Sequence, residues 1–585
     1  MESQNIVVAI GGVAGAGIME SGHLLAKYAL ASGLFSFMAS EYPSLIRGGH
    51  NFAMVHITEN ETNSLTQKID ILVALNEQTV KLHERELKEG SAIIYDSDII
   101  ELEKVDGITI QGVPLTTIAK ESGGEIIRNT VAIGAAIGLL KGNFSILEET
   151  LKSTFEKKGQ EVIDMNVRAA LKGYRFTQGA GSSFDLSIKH KQIDSQRILL
   201  NGNDAICIGA IRSGLKFAAI YPMTPVTSIL DYLAAEQNNF NLVVKEPEDE
   251  ISAIIMTIGA SYSGARSLTA TSGGGFCLMT EGLGLAGMAE IPLVVVEGMR
   301  SGPSSAMPTK TEQSDLDFVL YAGHGEFPRI VLAPGDPTEC IEATFNAFNL
   351  ADKYQLPVII LTDKYLASSL YTINKPDMSE WKIDRGKITT SGNETYSRYE
   401  LEEDGVSSRL LPGSPGAVTH ADSYEHDALG RDSDDPTIRI SMMEKRMKKI
   451  NNLAKELPEP ILYGEKDAEI TIFGWGSNKS IILDALKLLD KEGIKANYLH
   501  LLYVMPFPAY EVAKIFDHTK AALIVENNYS GQMTRYIRSL TGRRITNKLL
   551  KFDGRPFLPE EIVKKVKSIL NTPLKAQADI KEKND

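Results

Sequence analysis

Cysteine is scarce: the 585 residues hold 3, Cys207, Cys277 and Cys340, far apart and never in C-x-x-C spacing. Such a set suits a reducing, cytoplasmic setting and cannot alone supply the four thiolates of an iron–sulfur cluster or a structural zinc. All three read as small buried apolar residues, and no metal site is expected within the chain. Long apolar runs are missing as well. No stretch reaches the length of a membrane span, and Met1 to Gly12 reads as a strand, not a signal peptide. Positive charge is in deficit: the formal net charge is −14, which argues against nucleic acid or an anionic membrane as the main partner. Solenoid repeats and low-complexity tracts are also absent.

What is present is an ordinary globular composition, 43% hydrophobic and 23% charged, on a chain long enough for several cores. The most informative stretch runs from Ile220 to Pro308. It holds Tyr221-Pro222-Met223-Thr224-Pro225, Glu246-Pro247-Glu248-Asp249-Glu250, Thr269-Ala270-Thr271-Ser272-Gly273-Gly274-Gly275-Phe276 and Glu297-Gly298-Met299-Arg300-Ser301-Gly302-Pro303. Each cluster follows a short apolar run, and helix-length segments such as Ile251 to Ser263 and Leu278 to Ala289 lie between them. Strands alternating with helices predict an α/β fold with a parallel sheet, whose ligands bind at the carboxyl ends of the strands.

Residues 1–185 read as a first α/β domain. The apolar strand Ile6 to Ile10 leads into Gly11-Gly12-Val13-Ala14-Gly15-Ala16-Gly17 and a helix from about Ile18 to Ser32. The glycine spacing is G-x-x-G-x-G, not the dinucleotide fingerprint G-x-G-x-x-G, although such a loop before a helix can still bind phosphate. In Glu41-Tyr42-Pro43-Ser44-Leu45-Ile46-Arg47-Gly48-Gly49-His50-Asn51, the residues Arg47, Gly48, Gly49 and Asn51 suggest either a glycine turn before a strand or a ligand or subunit contact. Asn129 to Leu140 reads as a small-residue helix able to approach another backbone closely. A second domain spans 196–372, where Asn203-Asp204 reads as a helix cap. The pattern breaks down over 373–458, a connector too long to be a mere linker, with a helix at about Ser441 to Leu457. Its Glu425-His426-Asp427 reads most simply as a solvated charge cluster. A last α/β domain, 459–585, holds Gly474-Trp475-Gly476-Ser477 and Val525-Glu526-Asn527-Asn528 at strand ends; residues from Leu574 on read as frayed.

Tyr221-Pro222-Met223-Thr224-Pro225 resembles the Y-P-I-T-P motif of the α subunit of 2-oxoacid:ferredoxin oxidoreductases, with Met223 as a volume-conserving replacement. The resemblance covers nearly the whole chain in the family's order. Gly11 to Gly17 with Glu41 to Asn51 resembles the γ domain, fused ahead of the α domain; the usual G-x-G-G-Q-G loop is altered. Glu248-Asp249-Glu250, Gly259-Ala260-Ser261-Tyr262 and Ala270-Thr271-Ser272-Gly273 resemble the thiamine-pyrimidine-binding domain. The motifs of residues 474–477 and 525–528 resemble the transketolase C-terminal-like domain.

The resemblance implies oxidative decarboxylation of a 2-oxoacid with coenzyme A, giving acyl-CoA, CO2 and reduced ferredoxin with thiamine diphosphate as cofactor. Glu250 matches the acid that hydrogen-bonds the aminopyrimidine, with Pro222, Thr271 and Ser272 as further cofactor contacts. Thr224, Arg300 and Tyr221 match substrate-recognition positions, Arg300 gripping the substrate carboxylate. Without the resemblance, Glu250 reads as a helix-start acid and Arg300 as a surface residue after a strand. The G-D-G motif that holds Mg2+ and diphosphate is missing; Asp553-Gly554 and Asn527-Asn528 stand in the wrong order. Mg2+ and a [4Fe-4S] cluster are therefore expected on a β subunit, in an αβ heterodimer or (αβ)2 assembly. The fused layout leans to 2-oxoglutarate or broad specificity, pyruvate included. The competing readings are a two-chain thiamine-dependent decarboxylase or transketolase-like enzyme without ferredoxin, and a non-catalytic partner subunit.

Overall fold

Strands that are apolar on both faces need cover on both faces, and the chain meets that need with large sheets flanked by helices. The computed structural model describes residues 4–43, 49–179, 184–192 and 194–571. Two units form: Met1–Asn201 with Ser368–Pro376 and Leu558–Glu560, and Gly202–Ala367 with Asp377–Phe557 and Glu561–Asp585.

The first unit holds an eight-stranded mixed sheet in the order Thr109–Val113, Leu87–Asp96, Ile69–Ala74, Asn5–Val13, His50–Thr58, Phe35–Glu41, Leu370–Asn374, Arg197–Leu200. Its central strand Asn5–Val13 is parallel to Ile69–Ala74 and antiparallel to His50–Thr58. That register sets Gly12 opposite Asn51 and Val13 opposite His50, so the glycine loop begins beside these two residues. The small-residue helix is real, spanning Arg128–Leu139. A Cβ at Gly134 would stand 2.0 Å from the Ala170 carbonyl oxygen, a close backbone approach onto the helix Gln160–Gly179 that requires glycine.

The second unit holds the expected parallel sheet. Its strand order is Tyr503–Met505, Ile330–Leu332, Pro357–Asp363, Leu293–Met299, Ser267–Thr271, Phe217–Ala219, Val243–Lys245, and only Tyr503–Met505 runs antiparallel. A second sheet orders Leu462–Gly464, Ala496–His500, Ile470–Gly474, Ala522–Glu526 and Asn547–Leu550. One hydrophobic core, with Phe276, Leu316, Trp475, Ile524 and Met533 in it, runs between the two sheets.

The connector is ordered by buried charge. Asp352 accepts from Arg266 Nε at 2.8 Å, Arg385 Nε at 2.7 Å and Arg409 Nη2 at 3.2 Å. Glu290, fully buried, is gripped by Lys445 at 2.6 and 2.7 Å and by Lys449, both from the helix Pro436–Leu453. Glu425-His426-Asp427 corrects the solvated reading. His426 is fully buried against the Tyr399 ring, and Glu425 accepts from Arg446 at 2.7 and 3.0 Å and from Arg439 at 2.6 Å. Its partners lie on a helix that starts eleven residues after Glu425, and composition cannot reveal such a pairing. Likewise Asn203-Asp204 does not precede its helix: the helix begins at Gly202, and Asn203 sits buried in its first turn.

Burial alone would raise the Glu290 carboxyl, yet Lys449 and Lys445 hold it far below the usual carboxylate range. Burial pushes Lys449 down to about 7. Glu290→Gln leaves two buried ammonium groups without their counter-charge and should cost about 3–5 kcal/mol near neutral pH. The loss should shrink as pH rises, because the orphaned lysines shed their protons in the folded chain before they do so in the unfolded one. Denaturant titration at two pH values checks this; equal stability of variant and wild type near pH 7 would contradict it.

Candidate active site

Four strand ends of the parallel sheet converge in the second unit. The strand Phe217–Ala219 runs into Tyr221, Pro222, Met223 and Thr224, all half-buried, and the Thr224–Pro225 peptide is cis. Asn203 donates through Nδ2 to the Pro225 carbonyl at 2.8 Å and to Ser228 Oγ at 2.8 Å, which fastens this loop from below. Arg300 follows the strand Leu293–Met299, and its Nη1 donates to the Thr224 carbonyl at 2.9 Å. The two residues expected at the substrate are therefore in contact. Burial lowers the Arg300 guanidinium from its ordinary value, while Asp315 and Glu297 pull it back up.

On the neighbouring strand end, Asp249 takes the capping role: its Oδ1 accepts from the Ser252 amide at 2.8 Å. The next residue, Glu250, opens the helix Glu250–Tyr262 and is turned inward, 3% exposed. Its Oε1 has no hydrogen-bond partner among the described residues. A Cβ on Gly275 would lie 2.1 Å from Thr271 Oγ1 and 2.5 Å from Glu250 Oε1, so glycine alone lets that carboxyl stand against the first turn of the helix Gly273–Met288. Thr271 ends the strand Ser267–Thr271, and Ser272 stands at the N-cap position of that helix with a buried Oγ that also has no hydrogen-bond partner among the described residues. Leaving a buried acceptor unpaired costs about 1–3 kcal/mol, and unpaired groups of this kind mark places built for something else. An acceptor left open in this way suits a ligand that offers an N–H or O–H to Glu250 Oε1.

Three residues here were given no role in the sequence reading. Glu297 is the lone acid in an otherwise apolar strand, fully buried, and that solitary charge was the available signal. Asp315 reaches the first turn of the helix Gly273–Met288: a Cβ on Gly273 would meet Asp315 Oδ2. Gln313 gave no signal, since its value depends on a contact across two sheets. Its Oε1 accepts from Asn478 Nδ2 at 2.8 Å and from the Asn527 amide at 3.1 Å, and its Nε2 donates to the Trp475 carbonyl at 3.1 Å. Asn528 Nδ2 donates to the Gln313 carbonyl at 3.1 Å. The motifs Gly474 to Ser477 and Val525 to Asn528 therefore brace the loop that carries Asp315.

Cys207 and Cys340 are buried, as expected, but Cys277 is exposed. It sits on the outer side of the helix Gly273–Met288 and lines a cavity of about 500 Å³ with Phe318, Tyr321 and His324. That helix is apolar on more sides than the described chain covers, with Leu278 also exposed. In the first unit, Gly49 accepts from the Ala14 amide at 2.9 Å and Asn51 is buried opposite Gly12; Arg47 and Gly48 lie outside the described residues. Among the described residues, no three His, Cys, Asp or Glu side chains group as metal ligands, and no helix is long and apolar enough to cross a membrane.

Family models match in three segments. Residues 7–176 match "Pyruvate ferredoxin/flavodoxin oxidoreductase", residues 208–445 "Pyruvate flavodoxin/ferredoxin oxidoreductase, thiamine diP-bdg", and residues 468–562 "Pyruvate:ferredoxin oxidoreductase core domain II". The 2-oxoacid:ferredoxin oxidoreductase subunit alpha of Sulfolobus sp is 35% identical over 94% of this chain and 95% of its own. The chain belongs to the family of 2-oxoacid:ferredoxin oxidoreductase alpha subunits. The alpha subunit of Saccharolobus solfataricus is 34% identical over 96% of this chain and 97% of its own. A solved 2-oxoglutarate:ferredoxin oxidoreductase from Magnetococcus marinus, with 2-oxoglutarate, coenzyme A and succinyl-CoA bound, superposes with a TM-score of 0.91 at 34% identity, covering 97% of this chain and 100% of that one. This alpha subunit therefore carries an N-terminal γ-like domain, a thiamine diphosphate-binding domain and a domain II within one chain.

Asn203→Ala removes the donor that fastens Pro225 and should cost about 1–3 kcal/mol of stability. Thermal unfolding of the purified chain measures it; a melting temperature equal to the wild type's would show that the loop is held by other contacts.

Proposed function

We propose that this alpha subunit, paired with a β subunit, catalyses oxidative decarboxylation of a 2-oxoacid with coenzyme A to acyl-CoA and CO2, with ferredoxin as electron acceptor. The substrate we favour is 2-oxoglutarate, with broad acceptance extending to pyruvate. The observation that carries the reading is the pairing of an unpartnered, buried Glu250 Oε1 with a neighbouring Arg300–Thr224 contact at the ends of one parallel sheet. The lean to 2-oxoglutarate draws support from the Magnetococcus marinus structure and from a Mycobacterium tuberculosis relative named 2-oxoglutarate oxidoreductase, 28% identical over 97% of this chain.

Glu250 would hold the aminopyrimidine of thiamine diphosphate, with Pro222, Thr271 and Ser272 lining its seat. When bound, that cofactor supplies the carbanion-stabilising centre that decarboxylation needs. Glu250 Oε1 then accepts or yields the proton exchanged at the pyrimidine ring, in a pocket whose burial keeps water from competing for it. Arg300 turns its guanidinium fork to the substrate carboxylate, and Thr224 presents a hydroxyl beside it. Tyr221 borders the same space. Mg2+, the diphosphate contacts and a [4Fe-4S] cluster fall to the β subunit, in an αβ or (αβ)2 assembly working in the cytoplasm. Residues 1–185, 196–372 and 459–585 would be its three domains, with 373–458 as an ordered brace. Arg47, Gly48, Gly49 and Asn51 would form a ligand or subunit contact.

Arg300→Ala should raise the KM for the 2-oxoacid by about 30- to 150-fold, the equivalent of about 2–3 kcal/mol for a charge-assisted bidentate contact. Thiamine diphosphate affinity should stay close to the wild type's, and Arg300→Lys should rescue only in part because lysine lacks the fork. Unchanged steady-state kinetics in Arg300→Ala would remove this residue from the site. Glu250→Gln should fold and yet slow proton–deuterium exchange at the cofactor's C2 in the assembled enzyme. Wild-type exchange in that variant would assign cofactor activation to another group.

A further inference from the structure

Glu297, fully buried, and Asp315, half-buried, are acids that the mechanism above leaves unused. Neither oxygen of Glu297 has a hydrogen-bond donor among the described residues. Glu297 is in register with Thr271 on the adjacent parallel strand, so both side chains leave the same face of the sheet. Thr271 Oγ1 in turn stands beside Glu250 Oε1 at the first turn of the helix Gly273–Met288. Asp315 enters that turn from the other side, through the space that a side chain at Gly273 would fill. The carboxyls of Glu297 and Asp315 interact side chain to side chain; the charges of Asp363 and Cys277 also act on Glu297, that of Glu312 acts on Asp315, and Arg300 is the cation that interacts with both acids.

Two ionised carboxylates in contact offer only acceptors, so nothing bonds them unless one holds a proton. One proton between them makes a strong O–H···O bond and removes one negative charge from a buried site. We propose that Glu297 and Asp315 share a single proton and serve as a positioning pair that keeps Arg300 free to bind the substrate carboxylate. This rests on the reading of Arg300 given under the proposed function. Were both acids ionised, they would neutralise Arg300 themselves and repel an anionic substrate. Burial first, then the charge of Asp315, pushes the Glu297 carboxyl well above its ordinary value; burial and Glu312 push Asp315 up to about 6. The pair belongs to one coupled titration, not to either residue singly.

The linkage has a definite sign. Both folded values lie above the unfolded ones, so over that window the folded chain binds more protons than the unfolded chain and its stability falls as pH rises. Glu297→Gln keeps a donor facing Asp315 but cannot lose it; Asp315→Asn does the same from the other side. Thermal unfolding of the chain from pH 5 to pH 8 should show the melting temperature of either variant gaining a few degrees on the wild type toward high pH. In the enzyme reconstituted with its β subunit, the wild-type KM for the 2-oxoacid should rise about tenfold as the shared proton is lost, and the Glu297→Gln KM should stay flat. Purely structural contacts would shift melting temperatures by the same amount at every pH. Parallel pH profiles for wild type and both variants, in melting temperature and in KM, would overturn the pair. A reconstituted wild type without 2-oxoacid turnover would count against the proposed function instead, and the melting profiles would then decide on the pair alone.

Discussion

The site depends on a steric fact: the first turn of the helix Gly273–Met288 consists of glycines. At Gly275 the missing side chain makes room for Glu250 Oε1 and Thr271 Oγ1, and at Gly273 for the Asp315 carboxylate. A carboxyl so placed is removed from water and faces the amide end of a helix, where negative charge is favoured. The helix dipole offsets part of that burial cost, and the rest is tolerated because the surrounding fold is braced. Gln313 ties the loop before Asp315 to the second sheet, and Asn203 ties the loop before the helix Thr227–Phe240.

Much of this was legible in the residues. Alternating apolar runs and helix-length segments predicted the parallel sheet, and the polar clusters after Ala219, Lys245, Thr271 and Met299 fell at strand ends as that topology requires. Glu250, Thr224 and Arg300 were singled out through the family resemblance and not by local sequence alone, and Thr224 and Arg300 meet in space. What local patterns could not show were pairings between distant segments. The strand Leu370–Asn374 joins the sheet of the first unit, where Thr372 Oγ1 accepts from the Ser36 amide at 2.9 Å. No periodicity signals a partner that remote. The connector misled for a similar reason. Its charged residues look solvated when read alone, but Glu425, Lys445 and Lys449 find buried partners only once the helix Pro436–Leu453 is folded back.

The Asn527-Asn528 pair is instructive because it resembled a misplaced fragment of a metal–diphosphate motif. In the structure both asparagines serve the brace on Gln313, and Glu526 holds the following turn by accepting from the Met533 and Thr534 amides at 2.9 and 3.0 Å. Motif residues can thus mark a domain faithfully while their side chains serve packing. The exposed Cys277 and Leu278 point the other way, to a helix whose apolar surface exceeds what the described chain covers.

The central claim is that this chain supplies half of a catalytic centre: the acid for the cofactor and the cation for the substrate, without the metal, the diphosphate contacts or the cluster. Activity and iron content of the purified chain, compared with the same chain reconstituted with a β subunit carrying a G-D-G motif and cluster cysteines, test it most directly. The account predicts a lone chain without stoichiometric iron or 2-oxoacid turnover, and a pair that reduces ferredoxin or a viologen dye only when 2-oxoacid and coenzyme A are both present. Full turnover or a stoichiometric iron–sulfur cluster in the lone chain would contradict it.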